Sequence, residues 1–235
     1  MHKGPASVLL SIFLFAGPAR ATDHALHVHE PLSFDLVRSL GARKGELEVN
    51  TLLSCTGTGA GCEPTWAPEI ELTLFDGVGL ELELPHQGDR LESVKTAFQL
   101  TLPGKSASFR HGLQVIEEHL LHSPLEQVSA LYLLGLGSGR FSSLSMWGAS
   151  LRTEPNGPEL RSLVNVSFFY EWTESLTLGF ETNCELGERG FESVRFLPQV
   201  QKDLTDHVTV QLGVGLLLRP EEAAPFGSVR VVLQL

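Results

Sequence analysis

The sequence has few cysteines, few basic residues and no long apolar segment after its first 25 residues. Three Cys in 235 residues are too few for a fold built on disulfides. The 17 Lys and Arg against 28 Asp and Glu give a net charge of −11, so the basic face that nucleic acid binding requires is lacking. No later segment holds about 18 uninterrupted apolar residues, so we predict no transmembrane helix in the mature chain. An apolar fraction of 42% is too high for an intrinsically disordered protein.

The N-terminus has the three parts of an export signal. Met1-His2-Lys3 is cationic, residues 8–17 form a short apolar run, and Ala19-Arg20-Ala21 is a small-x-small cleavage site. The apolar run is too short to span a bilayer as a helix. We therefore predict a signal peptide over residues 1–21, cleaved after Ala21, with a buried first helix or an uncleaved anchor as the alternatives.

The rest of the chain divides into a polar segment and an alternating segment. Residues 22–44 are polar and have no sustained period, whereas apolar side chains recur at every second position through much of residues 45–235. Such alternation is typical of strands with one apolar and one polar face. Residues 109–134 also fit a helix, which stays an alternative there. The predicted strands are 46–53, 69–74, 78–84, 91–102, 109–120, 127–137, 141–152, 164–170, 176–181, 192–200, 208–216 and 229–235.

The connections between these strands alternate in length. Short ones lie at 76–77, 103–108, 137–140, 172–174 and 202–206; longer ones lie at 55–67, 121–125, 153–158, 186–191 and 219–227, with 85–89 as an exception. Short turns on one rim and longer loops on the other are typical of barrels in the outer membrane. We therefore predict an all-β fold, an antiparallel up-and-down transmembrane β-barrel of about 12 strands. The alternative is a soluble sandwich or lipocalin-like periplasmic barrel that binds an apolar ligand.

Three stretches resemble a known family in their rhythm of strand and turn. They read LVNVSFFYEWTESLTLGFETN over 163–183, FLPQVQKDLTDHVTVQLGVG over 196–215 and DGVGLELELP over 76–85. They resemble bacterial outer-membrane transporters of the phenol-degradation meta-pathway type. The resemblance implies a passive channel, transporter or binder in the outer membrane for small solutes, hydrophobic ones among them. It also implies outer-membrane lipid and the outer-membrane assembly machinery as partners, although barrels of this kind usually end on Phe or Trp and this chain ends on Leu235.

Strand alternation assigns a set of charged residues to the barrel lumen, because the lipid face is apolar and the lumen is polar. One hypothesis is a cation-favouring lumen or polar passage. The other is a salt-bridged interior that conducts nothing, since side chains and the N-terminal segment can fill a barrel of this size. The second hypothesis corresponds to a structural or surface barrel. The predicted lumen-facing residues are Glu46, Glu48, Glu69, Glu71, Glu81, Glu83, Glu181, Arg195 and Arg230.

A pair of cysteines could form a disulfide, and a group of histidines could bind a metal ion. Cys55 and Cys62 bracket a Gly- and Thr-rich stretch, and we predict a disulfide between them because the chain is exported. Cys184 has no partner that the sequence indicates. His24, His27 and His29 have a spacing that zinc or copper could use, but a short tract outside a folded element rarely preorganises a site. We therefore expect no metal and no other cofactor.

An enzyme hypothesis rests on a few residues of the fifth and seventh predicted strands. His111 and His119, with His122 just beyond them, and Ser142 and Ser143 could contribute to a hydrolase site on a barrel rim. The sequence has no Gly-x-Ser-x-Gly motif, and nothing in it places a serine beside a histidine and an orienting acid. We therefore expect no catalytic residues and no enzymatic activity.

Overall fold

Antiparallel strands make up most of the chain. The computed structural model describes residues 28–34, 36–58, 61–104, 106, 108–123, 125–154, 157–188 and 190–235. The predicted signal peptide and residues 22–27 lie outside these ranges. The strands are β1 (Leu47–Thr58), β2 (Gly61–Phe75), β3 (Val78–Glu83), β4 (His86–Gln87), β5 (Arg90–Leu91), β6 (Ser93–Leu102), β7 (Phe109–Leu120), β8 (Glu126–Ser138), β9 (Phe141–Glu154), β10 (Gly157–Thr173), β11 (Leu176–Gly187), β12 (Gly190–Thr205), β13 (Val208–Arg219) and β14 (Glu222–Gln234).

All of these strands except β4 and β5 form one closed barrel of twelve strands. Each barrel strand pairs with the next one along the chain, and β1 closes the barrel by pairing with β14 from Glu48↔Gln234 to Thr56↔Phe226. The predicted all-β, up-and-down barrel of about twelve strands is therefore confirmed. The helical alternative for 109–134 is wrong, because β7 and β8 pair along their length from Phe109↔Leu136 to His119↔Glu126.

Among the described residues, no helix is long and apolar enough to cross a membrane.

We name the two ends of the barrel after the predicted connections. The turn end carries the connections at 76–77, 139–140, 174–175 and 206–207, and β1 begins and β14 ends there. The opposite end, the loop end, carries the connections that the sequence predicted as longer, but the predicted loop 219–227 is wrong in length, because β13 and β14 extend until residues 220–221 alone join them. The short β4–β5 hairpin lies at the loop end and pairs with β2 at Thr65 and Trp66. This hairpin occupies the connection at 85–89, which was short where the predicted alternation of connection lengths required a long one.

The strands at the loop end are longer than their sequences predicted. Residues 55–67 were expected to form a loop, yet Cys55↔Pro64 and Thr56↔Glu63 continue the β1–β2 ladder almost to the turn. The structure places a disulfide between Cys55 and Cys62, whose Cα atoms are 5.7 Å apart. Strand β10 has 17 residues, whereas crossing a bilayer takes about 9–11. The Gly, Pro and Thr residues of these extensions do not alternate with apolar ones, so only pairing with the neighbouring strand reveals them as strands.

The outer face of the barrel is an apolar band. Aromatic side chains gather at its turn end, where Phe75, Phe141 and Trp172 are each more than half exposed and Tyr170 packs against Phe141 with ring centroids 4.7 Å apart. Aromatic residues at the membrane interfaces are typical of outer-membrane barrels. The exposed apolar residues of the band include Ile70, Leu80, Leu113, Val128, Trp147, Phe168, Leu178, Phe196, Leu212 and Val231.

Candidate functional site

A segment without regular secondary structure lies inside the barrel. We call residues 28–42 the plug; Asp35 is outside the described residues. The plug enters at the turn end, where His29 Nε2 lies 3.3 Å from Glu171 Oε1. It reaches mid-barrel at Ser33, whose Oγ accepts a hydrogen bond from Arg195. It then returns to the turn end, where Ala42 O accepts a hydrogen bond from Gly77 N at 2.8 Å.

The plug packs its apolar side chains on an apolar part of the inner wall. Val28, Leu36, Val37 and Leu40 are buried, and Leu32 fills a second cluster with Leu197, Leu217 and Phe226. The sequence predicted a polar lumen, and this part of the wall differs because residues 131–134 are apolar on both faces of β8. We call the inward residues in contact with the plug here the apolar wall: Ala97, Ile116, Leu131, Leu133, Leu144, Met146 and Leu163.

The part of the inner wall next to the apolar wall is acidic, since Glu81 on β3 pairs with Ala97 on β6. Its carboxylates are neighbours across three adjacent strands, because Glu48 pairs with Glu71 and Glu71 pairs with Glu81 in the strand register. Lys95 on β6 forms ion pairs with Glu83 and, at 3.9 Å, with Glu81. We call these buried carboxylates the acidic wall: Glu48, Glu69, Glu71, Glu81 and Glu83.

Arg38 of the plug is inserted into the acidic wall. Its Nη1 lies 2.6 Å from Glu48 Oε2 and 3.6 Å from Glu71 Oε2, and its Nη2 lies 3.1 Å from Glu46 Oε2. Burial lowers the pKa of Arg38, but the charges of the surrounding carboxylates outweigh burial and raise the pKa above its ordinary value. Gln99 holds the backbone in place, since its Nε2 donates to Arg38 O at 2.6 Å. Arg38 is therefore a permanent cation that neutralises part of the acidic wall.

Glu181 binds the other arm of the plug. Its Oε2 accepts hydrogen bonds from Leu32 N at 2.9 Å and Ser33 N at 3.2 Å, and Asn183 Nδ2 donates to its Oε1 at 2.8 Å. The Glu181 residue is fully buried. Carboxylates that accept backbone N–H groups form some of the stronger hydrogen bonds in proteins. Glu181 therefore positions the plug at the middle of the barrel.

Two arginines of the wall also contact the plug. Besides bonding Ser33, Arg195 stacks its guanidinium 4.3 Å from the centroid of the Phe226 ring. Arg230 is 2% exposed, and its Nη1 donates to Pro31 O at 3.3 Å.

The predicted lumen-facing residues fall into two groups: five of them form the acidic wall near Arg38, whereas Glu181, Arg195 and Arg230 contact the plug at residues 31–33. Glu46 differs slightly, since it precedes β1 and is half-buried beside Arg38. The sequence reasoning missed Lys95 and Arg38. Lys95 is in phase with Ala97 and Gln99 on β6, so strand alternation could have found it, whereas nothing in the polar N-terminal segment indicates where Arg38 lies.

The remaining residues that the sequence singled out lie apart from one another. His29 belongs to the plug, and His24 and His27 are outside the described residues. A ring nitrogen of His111 lies 3.0 Å from the Tyr132 hydroxyl, His119 lies 3.8 Å from Glu126, and His122 bonds Leu91 O at 2.9 Å. Carboxylate oxygens of three acidic-wall residues, Glu69, Glu81 and Glu83, lie within 4.8 Å of one another, but Lys95 already supplies a cation to two of them.

Solved structures with a similar fold include two porins and an outer membrane protein. A structure described as KdgM porin in complex with disordered oligogalacturonate has a TM-score of 0.67 at 9% identity and covers 80% of this chain and 99% of its own. The NanC porin has a TM-score of 0.62 at 8% identity, and the match covers 80% of this chain and 100% of the NanC chain. Omp33 of Acinetobacter baumannii has a TM-score of 0.51 at 8% identity and covers 82% and 99%. At these identities the likeness shows the fold, which is that of outer-membrane β-barrels.

Sequence comparison adds one partial match. A family model described as HAEPLYID-like matches residues 24–120, which include the plug and the acidic wall. No curated protein matches the chain.

Proposed function

We propose that the protein is an exported outer-membrane channel for small solutes whose lumen is closed by the plug. The apolar outer band and the porin fold support a place in the outer membrane. The observation that carries the closed state is the course of the plug, which packs on the apolar wall and inserts Arg38 into the acidic wall. Solute passage then requires the plug to move.

The attachment of the plug to the barrel favours movement toward the turn end. The chain continues from the plug into β1 at this end, where Gly45 N donates to Thr73 O at 2.8 Å. Within the lumen, the hydrogen bonds of the plug go mainly to side chains such as Glu181, Gln99 and Thr101, and the described plug residues belong to no strand. Segments held without a β-ladder are those that open with the lowest free energy.

A second candidate function is a non-conducting structural barrel. The apolar contacts of the plug favour it, because each fully buried Val or Leu side chain contributes about 1.5–3 kcal/mol. Five such side chains, Val28, Leu32, Leu36, Val37 and Leu40, are buried in the plug. If no physiological event releases them, the barrel stays closed.

Two further proposals concern the solute and the insertion of the barrel. Hydrophobic solutes would follow from the resemblance to transporters of the phenol-degradation type, and the apolar wall is compatible with them. Insertion by the outer-membrane assembly machinery would follow from the barrel fold.

Planar-bilayer recording of Leu36→Asp tests the channel proposal. Leu36 is 2% exposed; loss of such a side chain costs about 2–5 kcal/mol, and a buried carboxylate costs more. Each 1.4 kcal/mol changes an equilibrium about tenfold, so we expect at least about a hundredfold rise in open time over the wild type. The signal is single-channel current of the full chain.

Leu121→Asp is the matched control. Leu121 lies at the loop end outside the plug and is 43% exposed, so the same change there should leave the current at the wild-type level. Both variants should migrate on a gel as heat-sensitive folded barrels. A folded Leu36→Asp variant without current would contradict the channel and favour the structural barrel.

A further inference from the structure

We infer that the lumen binds a small organic cation with an apolar body, and that the plug occupies this site as an internal ligand. This inference rests on the proposed channel function and names the chemical class of its solute. The site lies between the acidic wall and the apolar wall, where Arg38 and its neighbours Leu36 and Val37 now sit.

Arg38 satisfies the acidic wall only in part. Within the described residues, four buried oxygen atoms on the inward faces of β1 and β2 have no hydrogen-bond partner: Glu48 Oε1, Asn50 Oδ1, Glu71 Oε2 and Thr73 Oγ1. These side chains are 0–2% exposed, and of the four atoms Glu71 Oε2 lies 3.6 Å from Arg38 Nη1 as an ion pair. Arg38 Nε has no partner in that set either. Since a guanidinium carries five N–H donors, a free cation that is not tied to the plug backbone can make hydrogen bonds that Arg38 does not.

The charge of the wall favours a positive ligand once the plug has moved. Arg38 leaves the lumen with the plug, and the five carboxylates of the acidic wall then face two buried cations, Lys95 and Arg230. Carboxylates that outnumber the cations around them attract further cations and repel anions. The acidic wall therefore selects the charge of the ligand.

The apolar wall selects the rest of the ligand. Leu36 and Val37 directly precede Arg38 in the chain, and both are buried against the apolar wall. The plug thus presents an aliphatic body next to a guanidinium. A ligand that replaces it needs the same two parts at the same short separation.

Benzamidine has these two parts, a phenyl ring and a planar amidinium, and it is the probe. Benzamide is its neutral isostere and benzoate its anionic analogue. Calorimetry on the full-length protein in detergent compares the wild type with Arg38→Ala. An internal ligand competes at an effective concentration in the millimolar range. We therefore expect Arg38→Ala to bind benzamidine at least about tenfold more tightly than the wild type does. The same variant should bind benzamide and benzoate at least about tenfold more weakly than it binds benzamidine.

Two further variants locate the effect. Lys44→Ala removes an exposed cation outside the lumen, whose Nζ lies 5.7 Å from the Phe75 ring centroid, and should bind benzamidine as the wild type does. Adding Glu71→Gln to Arg38→Ala should remove at least about tenfold of the gained affinity, because the acidic wall loses one charge.

Three results would overturn the inference. They are no gain in benzamidine affinity on removal of Arg38, equal affinity for benzamidine and benzamide, and full competition by millimolar Mg²⁺, which would indicate a metal-ion site. If Arg38→Ala fails to show the heat-dependent gel shift of a folded barrel, the same three compounds are tested as blockers of Leu36→Asp current. Benzamidine should then be the strongest blocker. Current that benzamidine leaves unchanged would overturn this inference alone, whereas a Leu36→Asp variant without current would contradict the channel.

Discussion

Single residues set the charge balance of the lumen. Arg38 lies within 3.6 Å of Glu48 and Glu71, and breaking a buried ion pair by removing one partner costs about 3–5 kcal/mol. Because Arg38 belongs to the plug, that cost falls on the closed state and leaves the β-ladders intact. By the same reasoning, loss of Lys95 would lower the stability of the barrel itself, because its partners Glu81 and Glu83 are on the adjacent strand.

The three cysteines allow a direct test of the predicted disulfide. We expect a maleimide to label one thiol in denatured, unreduced protein and three after reduction, because Cys55 and Cys62 are joined and Cys184 is free. Mass spectrometry counts the labels. Cys184→Ser should show none before reduction and two after it. Three labels without reduction would mean that the thiols of Cys55 and Cys62 stay free.

Strand alternation can assign the charged lumen residues that lie on strands, Lys95 among them although it was missed, whereas Arg38 lies on the plug. A period of two fixes the face of each strand residue, so Glu69, Glu81 and Arg230 could be assigned from their neighbours. Arg38 has no such reference, because the segment around it does not alternate with a period of two. Its position depends on contacts with strands that follow it in the chain.

At the scale of elements, the strands could be predicted, and one of the two hypotheses for the lumen had the N-terminal segment fill the barrel, but the path of the plug could not be predicted. Each predicted strand lies within, or nearly within, a barrel strand of the structure. The loop-end extensions were missed because pairing alone defines them. The N-terminal segment was described as polar, although Val28, Leu32 and Leu36 recur every four residues. This spacing fits one face of a helix as well as it fits the irregular segment that is observed. The conformation depends on how the segment packs inside the barrel.

Replacing the carboxylate of Glu181 should weaken the interaction between the barrel and the plug. Glu181→Gln replaces charge-assisted hydrogen bonds to Leu32 N and Ser33 N with neutral ones, which lowers the free energy that holds the plug by about 1–2 kcal/mol. We expect about a tenfold rise in open time in bilayer recordings. Glu126→Gln, at a carboxylate that is 62% exposed, is the control and should match the wild type. An unchanged open time for Glu181→Gln would show that Glu181 does not hold the plug.

At the scale of the whole molecule, the chain has an apolar surface on the outside and a mixed one on the inside. The outer band matches the hydrocarbon of a bilayer, and a barrel of this size leaves space that side chains of the wall fill only in part. The plug supplies the missing apolar contacts on one side and a cation on the other. Barrel and plug therefore form one folded unit, and the closed state follows from their complementarity.

Hydrogen–deuterium exchange of the full-length protein in mild detergent tests the central claim, that residues 28–42 fill the lumen. Several plug amides are bonded inside the barrel, among them Leu32 N, Ser33 N and Gly41 N. If opening of such a segment costs a free energy of about 3 kcal/mol or more, its amides exchange at least about a hundredfold more slowly than those of a free peptide. We expect that protection in peptides covering 28–42. Exchange at the rate of a free peptide there, with the barrel strands still protected, would contradict the account.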